Sequence, residues 1–94
     1  MKDGFKKYTN RVRYLTECNL KAQNIVIEDR FINNVDHVFP IRKGYQLGIP
    51  AELIASIDNL QIMNWKANRE KGSNVTTGIP SAILEYMIDN DIYI

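Results

Sequence analysis

Apolar side chains at helical period open the chain. Phe5, Tyr8, Val12 and Leu15 fall at i, i+3, i+7 and i+10, which makes one face of a helix over residues 4–20. Lys7, Arg11 and Tyr14 share another face of it. Residues 19–34 are uninformative: Ile25-Val26-Ile27 fits a short strand as well as a helix end, and Asn33-Asn34 signals a turn. Alternation begins at Val35. Val35, His37 and Phe39 have one parity and Asp36 and Val38 the other, so a first strand is expected over 35–39. Pro40 lacks a ladder donor and ends it. Lys43-Gly44 predicts a loop over 41–48, and 49–56 reads as a two-turn helix with Pro50 first and Glu52 in its acidic first turn.

The second strand is expected over 58–63, with Leu60 and Ile62 alternating against Gln61. Asn64 caps a short helix over 65–71 that Gly72 stops, with Asn64, Asn68 and Lys71 on one face and Trp65 as a plug for the core. Residues 73–78 form a polar turn. A last helix over 80–89 follows Ile79 and carries an apolar stripe of Ile83, Tyr86 and Met87. The apolar end Ile92-Tyr93-Ile94 is expected to pack down or to meet a second copy. No repeat or linker divides the chain, so 1–94 is one α+β domain.

Composition narrows the class. A chain of 94 residues buries roughly 60–65% of its unfolded surface, so the core is thin. With 45% hydrophobic and 24% charged residues the chain is globular rather than disordered. No apolar run approaches the roughly 20 residues of a membrane helix. The basic N-terminus lacks the apolar run of a signal peptide, so a cytoplasmic protein is expected. The one cysteine, Cys18, makes no internal disulfide and no Cys-type zinc site, and is read as a small core residue. The net charge of +1 says little, but its distribution is uneven. Lys2, Lys6, Lys7, Arg11 and Arg13 crowd the start against Asp3, and Glu85, Asp89 and Asp91 crowd the end. Either one face meets a polyanion or these are solvated helix faces.

The chemistry gathers at Asp36-His37. His37 is the only histidine, and a reference pKa near 6.5 leaves it mostly neutral and able to take a proton at pH 7. Its neighbour Asp36 is a hard oxygen ligand. Adjacent strand residues point to opposite faces, so Asp36 and His37 can share a site only at a strand end or bend. Arg42 and Lys43, on the loop after His37, are candidate phosphate contacts, as are Lys7, Arg11, Arg13, Lys66, Arg69 and Lys71. Solvated surface charge is the plain alternative for each.

Asp36-His37, Asn59 and Asn68, with eight residues between the two asparagines, form a pattern together with Asn68-Arg69-Glu70-Lys71-Gly72 and Ser73-Asn74-Val75. Residues 35–74 so arranged resemble the HNH endonucleases, the ββα-metal group. Gly44-x-x-x-Gly48-Ile49-Pro50 is similar to the small phage and mobile-element type, and the whole is similar to the HNH domain of RNA-guided CRISPR nucleases. The resemblance implies a small ββα-metal core flanked by an N-terminal and a C-terminal helix. It implies DNA as substrate, His37 as the base that activates water, and Asn59 as the residue that positions the catalytic loop. Asp36 and Asn68 would hold one divalent ion, Mg²⁺ or else Mn²⁺, and cleavage would leave 5′-phosphate and 3′-hydroxyl ends. The Cys pairs that bind structural zinc in many relatives are absent, so no structural zinc is expected. One site nicks, and a homodimer would cut both strands. No DNA-reading module is appended, which leaves room for a targeting partner protein. The alternatives are a non-catalytic DNA-binding or phage–host interaction module and a junction-resolving nuclease. The resemblance also sets the chain in a bacterial host cell, as a phage product.

Overall fold

The computed structural model describes residues 2–72 and 78–93, with side chains from Gly4 onward. The first helix, α1 (Lys2–Ala22), spans the fold. Its apolar face behaves as its period requires: Val12 is fully buried, and Tyr8 and Leu15 pack on the same core. An irregular stretch leads to β1 (Asn33–His37), then α2 (Ile41–Leu47), α3 (Ala51–Ile54) and a 3-10 turn (Ile57–Asn59). β2 (Leu60–Asn64), α4 (Trp65–Lys71) and α5 (Ser81–Asp89) complete it. β1 and β2 pair antiparallel from Asn33 opposite Asn64 to His37 opposite Leu60. The result is a mixed α+β fold in which helices flank one two-stranded ribbon. Helix predominates over strand, so the expected ββα core is not the dominant body of the molecule.

The core sits between α1, α2, α3 and α5. Phe39, Ile49, Ile54 and Ile83 are its fully buried large residues, with Val12 and Met87 beside them. The stripe expected on the last helix holds: Ile83 and Met87 are buried, and Ile79 and Tyr86 pack against them. Ile92 packs on this cluster too, but Tyr93 is exposed. The expected polar turn lies largely, and Ile94 wholly, outside the described residues. Among the described residues no helix is long and apolar enough to cross a membrane.

Several expectations are corrected. The first strand begins two residues early, so Asn33 and Asn34 are ladder residues rather than a turn. It ends at His37 because the Phe39 amide donates to the Asn59 side chain (2.7 Å) instead of to a strand. The predicted loop over 41–48 is mostly the helix α2. Gly44 is no breaker there: a Cβ on it would lie 2.7 Å from the Tyr8 hydroxyl and 2.8 Å from Ile54, so glycine lets α2 approach α1 and α3. The two-turn helix after it shrinks to the single turn of α3, and Asp58 and Asn59 belong to the 3-10 turn rather than to β2. Trp65 is 45% exposed and plugs nothing, because Phe39, Ile54 and Ile83 already fill the interior. Cys18 is exposed, on the same outer side of α1 as Lys7 and Arg11.

Candidate active site

His37 is the last residue of β1. Asn59 fixes that end. It is fully buried, and its amide nitrogen donates to Phe39 O (3.1 Å) and Ile54 O (2.8 Å) while its oxygen accepts from Phe39 N (2.7 Å). A single side chain therefore ties the chain leaving His37 to the end of α3.

Asp36 is buried beside it. One carboxylate oxygen accepts from Gln61 Nε2 (2.8 Å), directly across the ribbon, and the other faces Lys71 Nζ at 3.2 Å. Lys71 is as deeply buried as Asp36, and its ammonium also donates to the His37 carbonyl (3.1 Å). α4 delivers it: Asn64 caps the helix by accepting from Lys66 N (2.9 Å), and Gly72, at φ 58°, ends it. Lys71, read from sequence as a phosphate contact, is thus an internal counter-ion, because the carboxylate beneath it needs a partner once out of water.

The His37 imidazole turns toward α1, where its Nε2 lies 3.0 Å from Thr16 Oγ1. Burial pulls its pKa down from 6.5 to about 4; Asp36 opposes this, and Lys71 and Arg13 reinforce it. The ring is therefore neutral at physiological pH, and the same lowering makes it a weaker proton acceptor than an unburied imidazole.

Two open cavities of about 360 and 460 Å³ meet at Arg13, Val35, His37 and Asn68, which line both. The larger also takes in Phe5, Thr9, Asp36, Arg42 and Lys71. Together they form a groove between α1 on one side and β1 and α4 on the other. Arg42 stands over the Phe5 ring, 5.3 Å from its centroid, at one end. At the other end Arg30 is held by Glu17 at 3.0 and 3.1 Å. The Thr9 hydroxyl is buried with no hydrogen-bond partner among the described residues.

Asp36, His37 and Asn68 therefore come together, with Asn59 behind them and Arg42 at the rim. Lys7 and Arg11 do not join them. At about 3.6 residues per turn they fall on the side of α1 opposite Thr9, Arg13 and Thr16, and Arg11 is bonded to Glu52 at 2.7 Å. Lys43 lies on α2 away from the groove lining, and Lys66 and Arg69 line a separate depression with Trp65 and Glu70. Sequence reasoning named Arg13, with Lys7 and Arg11, as a phosphate contact, and missed Thr9 and Thr16 on either side of it. Their signal was a polar stripe at i, i+4 and i+7 on a helix read only for its apolar and basic faces.

Among the described residues no group of three or more His, Cys, Asp or Glu gathers as a metal cage. Mg²⁺ does not require one, since it keeps several waters and takes one or two carboxylates plus substrate oxygens. Two residues with hard oxygen donors of that class, Asp36 and Asn68, line one cavity, whereas the Thr9 hydroxyl is buried away from it. A cation reaches the Asp36 oxygen that Lys71 touches only by sharing or displacing that ammonium. No family model, curated protein or solved structure matches this chain.

Proposed function

We propose that this chain is a metal-dependent endonuclease of the HNH type, hydrolysing phosphodiester bonds in DNA. The observation that carries the reading is the convergence of Asp36, His37 and Asn68, from β1 and α4, on one groove with Asn59 locking the strand end behind them. The β1–β2–α4 unit is the ββα part of the reading, set among additional helices.

Asp36 and Asn68 would hold a divalent ion, Mg²⁺ or Mn²⁺, which would supply Lewis-acid stabilisation of charge developing on the phosphate. His37, neutral and walled in, takes a proton from the attacking water as the water oxygen bonds to phosphorus. The bond to the 3′ oxygen breaks, and that oxygen takes a proton from solvent. Asn59 keeps the His37 backbone from drifting, which matters because small misplacements of a base erase its advantage. Arg13 and Arg42 hold the phosphodiester backbone along the groove without reading sequence. A monomer nicks one strand, and a two-fold dimer cuts both or resolves a branched substrate.

The test is supercoiled plasmid incubated with the purified protein in Mg²⁺, in Mn²⁺ and in EDTA. Metal-dependent relaxation is expected, with His37→Ala slower by roughly 10²–10⁴-fold. Cleavage by His37→Ala at the wild-type rate, or no cleavage in either metal, overturns the reading. A second reading is favoured by one observation, the buried Lys71 ammonium already neutralising Asp36. It makes the chain a non-catalytic DNA-binding module or a phage–host interaction module. It predicts no cutting in any metal, with retained DNA binding marking the former.

A further inference from the structure

Resting on the nuclease reading, we propose that Thr16 on α1 is a positioning residue for His37. It accepts a hydrogen bond from Nε2–H, fixes that tautomer, and so presents Nδ1 to the groove as the proton-accepting nitrogen.

The argument begins with hydrogen counting. A threonine hydroxyl has one hydrogen and two lone pairs. Thr16 Oγ1 is 2.7 Å from Val12 O, one helical turn back, and 3.0 Å from His37 Nε2. A carbonyl oxygen can only accept, so the hydroxyl hydrogen goes to Val12, as helical threonines commonly direct it. What remains toward His37 is a lone pair, which requires a hydrogen on Nε2. The neutral ring then has its hydrogen on Nε2 and its free pair on Nδ1. Among the described residues the ring makes no other hydrogen bond, while His37 lines both cavities of the groove.

The setting makes the arrangement rigid. Thr16 is 3% exposed, so water does not compete for its oxygen. Its helix is pinned on neighbouring turns: Val12 is in the core, and Asn19 Nδ2 donates to Ala55 O (2.9 Å). On the other side Asn59 anchors the backbone after His37. The imidazole is thus held between two independently fixed elements. α1 thereby becomes part of the catalytic unit, although it precedes the 35–74 motif by a dozen residues and more.

The sole histidine makes the test clean, since an imidazole ¹⁵N spectrum contains one ring. At pH 7.5 the wild type should show a pyrrole-type Nε2 with an observable Hε2 and a pyridine-type Nδ1. Thr16→Ser keeps the hydroxyl and should keep both signals. Thr16→Val removes it at nearly equal volume, and the Nε2–H signal should be lost as the hydrogen shifts to Nδ1. Plasmid cleavage should follow: kcat roughly 3- to 10-fold lower in Thr16→Val, KM unchanged, and near-normal kcat in Thr16→Ser. A wild-type spectrum with hydrogen on Nδ1 overturns the proposal, because Thr16 would then be the donor. A Thr16→Val protein with wild-type Hε2 and wild-type kcat overturns it as well. The tautomer is read without any cleavage. A chain that cuts no DNA yet shows Nε2–H lost in Thr16→Val fails as a nuclease while keeping the Thr16 bond, and the reverse pattern fails only Thr16.

Discussion

The end of the molecule around Phe39 and Ile83 is packed with carbon, whereas the end around His37 is held by polar side chains. In the first, Val12, Phe39, Ile49, Ile54, Ile83 and Met87 meet with Asn59 as the one polar residue at full burial. In the second, Asp36, Lys71, Thr16 and Gln61 make a few directed bonds around one imidazole, while Ile62 and Trp65 nearby stay half exposed. Apolar burial is non-directional and sums over area. Directed bonds contribute little net but cost much when one partner is lost. The carbon-packed end should therefore set overall stability, and the polar end should set geometry. Asn59 joins the two, because its amide bridges the core strand exit and α3.

The largest effect should come from emptying the core. Phe39→Ala removes a fully buried ring and should cost roughly 3–5 kcal/mol, read from the urea midpoint at unchanged slope. A loss under about 1 kcal/mol would mean that the carbon-packed end does not carry stability.

Breaking the polar end should approach that cost only when a charge is stranded. Lys71→Met leaves the buried Asp36 carboxylate with Gln61 alone and should destabilise by roughly 3 kcal/mol or more. Asp36→Asn combined with Lys71→Met removes both charges and should recover most of it. The four-corner cycle of wild type, two singles and the double measures the coupling directly. Additive singles would show that the two groups do not share a dry contact.

Acid offers a milder probe of the same end. Arg13 on α1, Asp36 on β1 and Lys71 on α4 face the His37 ring, and burial lowers its pKa from 6.5 to about 4. Between those values the unfolded chain binds a proton that folded His37 does not. Stability therefore rises with pH across that window and is lost as pH falls through it, by up to about 3 kcal/mol from this residue. His37→Gln should remove that share, so the stability gap between wild type and variant should change from pH 7 to pH 4.5. A constant gap would mean that the imidazole is not shielded from water.

The same division explains what could be read from sequence. α4 was readable because its signals are local: the Asn64 cap, the Gly72 stop and the span between them. The stripe on α5 and the apolar face of α1 were readable from period alone. α2 was not, because Gly44 reads as a breaker until α1 and α3 are seen against it. The site was half readable. Asp36, His37, Asn59 and Asn68 stood out only through the resemblance to a known family, not by type and spacing alone, and they do lie close together. The burial of Lys71 and the Thr16 contact depend on pairings across 34 and 21 residues, which no local pattern carries. Trp65 and Cys18 were misplaced for a related reason: residue type suggests burial, but the small core was already filled.

On the proposed nuclease reading, the smallest effect concerns which basic residues would touch DNA. Arg13 and Arg42 line the groove, whereas Lys7 and Arg11 lie on the opposite side of α1 and Arg11 is already bonded to Glu52. A strand lying in the groove neutralises the first pair and not the second. Each phosphate contact contributes about 0.9 to the slope of log K against log salt on duplex DNA, or about 0.7 on a single strand. Arg42→Ala should therefore lower the slope by roughly that amount and weaken binding about equally on unrelated sequences, since phosphate contacts position without specifying. Lys43→Ala, off the groove, should change it less. Lys7→Ala with Arg11→Ala should leave it nearly unchanged. Binding measured over a salt series on two unrelated duplexes, with EDTA to prevent cutting, separates these outcomes. A slope that falls for Lys7 and Arg11 but not for Arg42 would move the DNA to the outer face of α1 and away from His37. Loss on only one duplex in Arg42→Ala would make that arginine a reader of sequence rather than a clamp on the backbone.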